Sequence, residues 1–173
     1  MVRQSLGSFK LQNSFISIGG SKGKWNYYSF YQKKSREGWR PNSNTEAQTV
    51  FLSTTYQATS KLKLGFEFTH MDYLAQQPGG LDDANFNMNP DTSFRSRNWF
   101  QVDWNIAAFT VDYKFSERTV FNSRTFGLWA SRDAIGVLDR IDWAEENLSP
   151  KRDLMLSTFN NIGNETRIVS FTT

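Results

Sequence analysis

The chain has 173 residues, of which 38% are hydrophobic and 16% aromatic, and its formal net charge is +3. It contains no cysteine, which excludes disulfides, thiolate metal ligands and cysteine nucleophiles. The 20 basic residues are scattered and form no stripe, so we expect no nucleic-acid partner. Composition alone favours a soluble β-sandwich, although one apolar face, one polar face and many aromatics also suit a membrane barrel.

Long strand-compatible stretches dominate the chain. In chain order they are Ser8–Ile18, Lys24–Lys34, Thr45–Ala58, Lys61–Tyr73, Asn98–Phe115 and Thr119–Ala130. Strands in globular domains usually have about 5–6 residues, whereas a tilted strand needs about 9–11 to cross a bilayer. The lengths therefore predict an all-β fold: an antiparallel meander of about six or seven long strands, which would be a partial transmembrane β-barrel.

The connections between these strands alternate in length. Short ones lie near Ser21–Lys24, Thr59–Lys61 and Ser116–Arg118, and long ones run over Ser35–Asn44, Leu74–Asn98 and Ser131–Gly163. All four prolines fall in the long connections, where they remove no ladder hydrogen bond. Transmembrane barrels show this asymmetry, with short turns at the periplasmic end and long loops at the extracellular end.

The alternation of apolar and polar residues predicts which side chains share a face. We expect one set to meet lipid: Leu62, Leu64, Phe66, Phe68, Phe109, Val111 and Tyr113. The intervening residues should face the lumen, and the charged ones are Lys63, Glu67, Asp112 and Lys114. In a soluble sandwich the same polar face would look outward to water.

Several possible sites have simpler explanations. His70 is the only histidine and has no nucleophile motif or partner histidine, so we interpret it as structural or interfacial. Gly19–Lys24 lacks the spacing of a phosphate loop and reads as a hairpin turn. The acid pairs Asp82–Asp83 and Glu145–Glu146 read as solvated loop charge. We expect no catalytic residue, no metal site and no cofactor, and hence no enzyme.

The loop that precedes the Asn98 strand carries the strongest candidates for ligand contact. Arg95 and Arg97 could point the same way from an extended segment, and guanidinium groups grip carboxylates or phosphates with paired hydrogen bonds. Arg40 is predicted to lie at the same end. The simpler alternative is that these are solvated loop arginines.

This loop also carries a resemblance to a known family. Its segments Gln77–Leu81, Asn89–Pro90 and Ser93–Phe100 resemble those of TonB-dependent outer-membrane receptors of the ferric-dicitrate type. Gly38–Ser43 resembles the loop of that family's first hairpin. Further along, Phe126–Leu128 with Arg132–Asp133, and then Lys151–Leu154, fit its next strand and loop.

The resemblance implies that residues 1–173 are a segment of a receptor barrel of about 22 strands around a plugged lumen. The start of the chain lacks the apolar region of a signal peptide. We therefore expect the signal peptide, the plug domain and the closing strands to be missing from this sequence.

The resemblance also implies a location and partners. The location would be the outer membrane of a Gram-negative bacterium. The partners would be outer-membrane lipid, a ferric chelate, and a TonB-type energy-coupling protein that acts through the plug. Arg40, Arg95 and Arg97 are the ligand-binding residues that we carry over.

Two alternatives stay open at this point. The same barrel could import another nutrient, such as a glycan, cobalamin or haem. A different class is a soluble all-β carbohydrate-binding module with exposed tryptophans, for which the candidates are Trp25, Trp39, Trp99 and Trp143. A requirement for detergent would separate the second alternative from the barrels.

Overall fold

The structure is a computed structural model that describes residues 1–137, 149 and 151–171. Eight strands and one short helix form in this part of the chain. They are β1 (Val2–Gly7), β2 (Leu11–Lys22), β3 (Trp25–Arg36), β4 (Thr45–Gln57), β5 (Leu62–Gln76), α1 (Asp83–Met88), β6 (Trp99–Lys114), β7 (Thr119–Gly136) and β8 (Asp153–Ser170). No described helix has the length and hydropathy needed to cross a membrane.

The strands form a single antiparallel sheet in the order β1 to β8, without a crossover. This meander confirms the predicted fold class of an open barrel segment. The predicted hairpin between Ser8–Ile18 and Lys24–Lys34 is also confirmed, because β2 pairs with β3 along its length, from Gln12 opposite Ser35 to Lys22 opposite Trp25.

The sheet has eight strands rather than the six or seven expected. One additional strand is β1, which has only six residues and so lacks the length on which the prediction rests. The predicted strand Ser8–Ile18 begins later, at Leu11, because Phe9 and Lys10 form a turn with positive φ angles of 56° and 53°. The predicted loop Ser131–Gly163 is wrong at both ends, since β7 continues to Gly136 and β8 begins at Asp153. Pairing with β7 keeps the Asn- and Gly-rich segment of β8 extended, against its weak intrinsic strand propensity.

The two ends of the sheet differ in their connections. At the short-turn end, residues 23–24, 58–61 and 115–118 join the hairpins. At the long-loop end, the connections are residues 8–10, 37–44, 77–98 and 137–152, and the last of these lies mostly outside the described residues. The predicted alternation of short and long connections is therefore confirmed from β2 to β8. One additional tight turn, between β1 and β2, lies at the long-loop end.

The register divides the sheet into two faces. Leu62, Leu64 and Phe66 pair with Tyr113, Val111 and Phe109, so the predicted apolar residues do share one face, which we call the apolar face. The other, which we call the charged face, carries Lys63, Glu67, Asp112 and Lys114 between them. The names describe the half of each face near the short turns. Nearer the long loops, the apolar face becomes polar, with Asp72 opposite Asp103, and the charged face becomes aromatic.

The described residues form one layer without a core. Only Ala75, Ala108 and Ala130 are buried hydrophobic residues, and no described side chain of any size is fully buried. Many large apolar side chains stay exposed on the apolar face, among them Ile16, Ile18, Leu52, Phe66, Phe109, Ile162 and Ile168. Exposed apolar surface on this scale indicates that lipid or another protein surface covers it.

Candidate ligand site at the long-loop end

Backbone hydrogen bonds tie the roots of the long loops together. The Gln76 N–H donates to the Asn44 carbonyl (2.8 Å), and the Gln77 N–H donates to the Asn98 carbonyl (2.9 Å). The Asn98 side chain then bridges to the start of the last loop, accepting from the Val137 N–H (2.9 Å) and donating to the Val137 carbonyl (3.3 Å). These bonds connect the bases of the three loops to one another.

A second set of contacts joins the loops to one another, and we call it the loop clasp: Arg40, Asn42, Pro78, Gly79, Ser93 and Arg95. Asn42, which has a positive φ of 59°, donates from Nδ2 to Ser93 Oγ (2.9 Å). The Ser93 hydroxyl in turn donates to the Pro78 carbonyl (3.0 Å). One serine hydroxyl therefore connects the loop of residues 37–44 to both limbs of the loop of residues 77–98.

Gly79 lies at the centre of the clasp, between two of the three predicted arginines. Arg40 donates from Nη2 to the Gly79 carbonyl, and its guanidinium carbon lies 5.5 Å from the centroid of the Trp39 ring. Partial burial of Arg40 lowers the pKa of its guanidinium from the usual value. On the other side, a Cβ on Gly79 would stand 2.7 Å from Cγ of Arg95, so Arg95 packs directly against this glycine.

Arg95 and Arg97, which the sequence predicts to point the same way, differ in burial. Arg95 is only 7% exposed and donates from Nη1 to the Phe94 carbonyl (3.0 Å). Arg97, two residues later, is exposed at the protein surface. Arg40 and Arg95 thus help to build the loop clasp, while Arg97 has the accessibility that a ligand contact requires. The role of all three in ligand binding stays a prediction.

A groove of about 680 Å³ opens beside the clasp on the charged face. Three aromatic residues from separate elements line it: Phe9 from the β1–β2 turn, Trp39 from the next loop, and Tyr73 from β5. Arg36 also lines the groove and donates from Nε to Thr45 Oγ1 (3.3 Å). Aromatic faces with a nearby guanidinium suit a ligand that combines flat or apolar surface with negative charge.

Sequence reasoning did not find Phe9, Arg36 or Tyr73. Each is an ordinary strand or turn residue in the sequence, and only the register brings them to one end of one face. The signal that could have helped is the period of two: Arg36 and Tyr73 follow the charged-face positions of β3 and β5 to the long-loop end.

The other sequence candidates have structural roles. The His70 ring nitrogen Nδ1 lies 2.8 Å from Asn105 Oδ1 on the apolar face, as expected for a structural histidine. Asp82 caps α1 by accepting from the Asn85 N–H (2.7 Å). The Gly19–Lys24 segment is a hairpin end with Gly23 at φ 60°, not a phosphate loop. Glu145–Glu146 and Trp143 lie outside the described residues.

Two solved structures share this fold. One is the ferric citrate transporter FecA in its unliganded form, with a TM-score of 0.80 and 17% identity over 98% of this chain and 25% of that chain. The other is the ferric-catecholate import receptor Fiu from E. coli K12 in an open form, with a TM-score of 0.78 and 13% identity over 98% of this chain and 31% of that chain. No protein-family model and no curated relative matches the sequence.

The likeness establishes the fold. The chain adopts the architecture of a barrel segment of the kind found in these two import receptors, and it spans about a quarter to a third of their lengths. The loop clasp and the groove both lie at the long-loop end of this sheet.

Proposed function

We propose that residues 1–173 form part of the barrel domain of a TonB-dependent receptor in the outer membrane of a Gram-negative bacterium. The receptor imports a ferric chelate and catalyses no reaction. The observation that carries this proposal is the eight-stranded meander, which matches the FecA ferric citrate transporter over 98% of the chain. A plug domain and a TonB-type coupling protein would act through the rest of the receptor.

The distribution of apolar residues supports a membrane location. The apolar face of β5 runs from Leu62 to Phe68 before it turns polar at His70. The six residue steps from Leu62 to Phe68 span roughly 20 Å along the strand at ~3.3 Å each. A tilt of about 40° reduces that to roughly 15 Å, which fits within the ~25 Å apolar band of outer-membrane barrels.

The absence of a second layer over the described residues weighs against a soluble carbohydrate-binding module. A soluble β-sandwich buries one face of each sheet against the other. Here both faces of the described sheet are open, and apolar side chains such as Ile18 (65% exposed) and Ile162 (80% exposed) have no protein cover.

Ferric dicitrate is our first candidate for the cargo. Arg97 is exposed, Arg36 lines the groove, and Arg40 belongs to the loop clasp beside it. Citrate carboxylates would accept charge-assisted hydrogen bonds from such guanidinium groups, and positive charge at the mouth would raise the rate of capture.

A glycan is the second candidate, because Phe9 (55% exposed) and Trp39 (53% exposed) line the groove. Aromatic rings offer sugars a flat apolar surface at low entropic cost. A barrel importer of cobalamin or haem would use the same architecture, but no described feature favours it.

The test uses the full-length receptor in its own bacterium. Uptake of radioactive iron as ferric dicitrate should require both the receptor gene and an intact TonB-type protein. Uptake that persists after either deletion would contradict the proposed function. If iron uptake is unaffected but growth on a glycan is lost, the barrel assignment survives and the second cargo replaces the first.

A further inference from the structure

The short-turn end of the sheet carries a concentration of positive charge. Its turns and the strand residues beside them hold six basic side chains, which we call the basic rim: Lys22, Lys24, Lys61, Lys63, Lys114 and Arg118. Only two acids lie in the same region, Asp112 and Glu117. Asp112 accepts a hydrogen bond from Asn122 Nδ2, and both lie on the charged face.

The first two turns contain no acidic residue at all. The sequence from Gly19 to Tyr31 has none, and neither does the sequence from Thr49 to Phe66. The long-loop end is different, because Lys10 there is already paired with Glu37 at 2.6 Å. The first two turns therefore carry positive charge with no acidic residue in these stretches of their own strands, and the acid next to them, Asp112, lies opposite Lys63 on the charged face.

A cross-strand contact brings these two turns together. Lys24 reaches from the first turn and donates from Nζ to the Ala58 carbonyl of the second (2.8 Å). This bond uses one of the three hydrogens of the ammonium group and leaves two for another acceptor. Lys61 belongs to the second turn and is exposed, as is Lys22 at the end of β2.

The charge lies directly beside an aromatic pair on the apolar face. Lys22 pairs with Trp25 across the hairpin, and Trp25 pairs with Tyr56 on the next strand. The two rings lie 4.5 Å apart between centroids, and Trp25 is 51% exposed. Beyond them the apolar face continues through Leu52 and Leu64 toward the middle of the sheet.

We propose that Lys22, Lys24, Lys61 and the Trp25–Tyr56 pair bind the headgroup of an anionic phospholipid in the membrane leaflet at the short-turn end. This inference rests on the function proposed above. The lysines match the phosphate and the negative charge of the headgroup, while the rings occupy the interface between headgroup and acyl chain. The acyl chains of a lipid would contact the apolar face that adjoins these residues. Free phosphate has no acyl chain and would leave that face uncovered.

The test compares lipids bound to the full-length receptor in nanodiscs. Binding of phosphatidylglycerol is measured by native mass spectrometry against phosphatidylcholine, at low and high salt, with glycerol phosphate as a competitor. We expect a preference for phosphatidylglycerol that weakens with salt. Lys22→Gln, Lys24→Gln and Lys61→Gln together should reduce its retention by about tenfold or more, since each cation near an anionic surface adds appreciably to affinity.

The matched control removes three lysines at the other half of the sheet. Lys10→Gln, Lys33→Gln and Lys34→Gln make the same change in net charge and should leave retention unchanged. Equal loss in both triple variants, or equal retention of the two lipids by the unaltered receptor, would overturn the inference. So would full displacement by glycerol phosphate, which would identify a simple anion site.

Failure of this inference and failure of the proposed function can be told apart. A receptor that inserts into the outer membrane and imports iron, yet shows no lipid preference, contradicts only the lipid site. A full-length protein that is released from cells without detergent contradicts both. If the triple variant does not fold, the comparison of lipids and salts on the unaltered receptor still decides.

Discussion

The two ends of this sheet differ in how far their side chains bond to one another. At the long-loop end, side chains and backbone groups bond one another: Ser93 joins two loops, and Gly79 fits between Arg40 and Arg95. At the short-turn end, the turns are only two to four residues long and their lysines are exposed. The difference indicates that the loops are held in place by their own contacts, whereas the turns are adapted to what lies outside the protein.

The largest effect should come from separating this sheet from the remainder of the proposed barrel. The outer edges of β1 and β8 have no partner strand in the described sheet, and exposed strand edges pair readily with other chains. We expect residues 1–173 expressed alone to aggregate in buffer, or to require detergent. Sedimentation and thermal melting would test this, and a reversible cooperative melt of a monomer in plain buffer would contradict it.

The next largest effect concerns the apolar face near the short turns. In the full-length receptor, Phe66→Lys should reduce the free energy of unfolding in bilayers by roughly 2–4 kcal/mol, which is the cost of a lysine that faces lipid at the bilayer midplane. Thr110→Lys, on the charged face beside Gly65, is the matched control and should cost much less. Equal costs would mean that Phe66 does not face lipid.

Spin labels at Leu64 and Phe66 provide an independent measurement of the same face. We expect the labels to be accessible to oxygen and shielded from water-soluble relaxation agents, because oxygen concentrates in lipid. The reverse pattern would support a soluble sheet instead of a membrane barrel.

Two glycines, one at each end, allow a direct comparison of the loops with the turns. Gly79 has φ 74° and its Cβ would meet Arg95 at 2.7 Å, whereas Gly23 has φ 60° and open space around it. Gly23→Ala should cost only the left-handed backbone strain, about 1–2 kcal/mol. Gly79→Ala should cost about 1 kcal/mol more, since overpacking adds to that strain. Equilibrium unfolding of both variants checks this, and equal losses would show that the Gly79–Arg95 contact is not tight.

The arginine prediction separates a ligand contact from a loop contact. Replacing both Arg95 and Arg97 by Gln in the full-length receptor should weaken binding of ferric dicitrate by roughly 1.5–3 kcal/mol if a charge-assisted contact is lost. The structure sharpens this: Arg97→Gln alone should reduce affinity, while Arg95→Gln should cause the larger loss of stability, because Arg95 is buried and Arg97 is exposed. Titration at low and high salt distinguishes contact from steering, and an unchanged dissociation constant at both would make these ordinary loop arginines.

The sequence predicts the sheet better than it predicts the site, for a physical reason. Alternation in β5 comes from local pattern alone, so its strand and its two faces are readable without the structure. β8 has Asn160, Asn161, Gly163 and Asn164 in its middle, and its conformation depends on pairing with β7. The aromatic groove depends on register across four strands, which no local pattern specifies.

The smallest predicted effect tests the loop clasp itself. Asn42→Ala and Ser93→Ala each remove one side of the 2.9 Å bond between the two loops. Asn42→Ala should cost about 1 kcal/mol, and Ser93→Ala should cost somewhat more because it also removes the bond to the Pro78 carbonyl. Because the pair is in direct contact, the double variant should lose less than the sum of the single losses, with a coupling of roughly 0.5–1 kcal/mol. Ser21→Ala with Asn26→Ala is the matched cycle at the short-turn end, where Ser21 Oγ donates to Asn26 Oδ1 on an exposed hairpin. Water competes for an exposed bond, so its coupling should be smaller. If the two cycles gave equal couplings, the clasp would be no more than another surface contact, and the loops would have to be held by their backbone bonds alone.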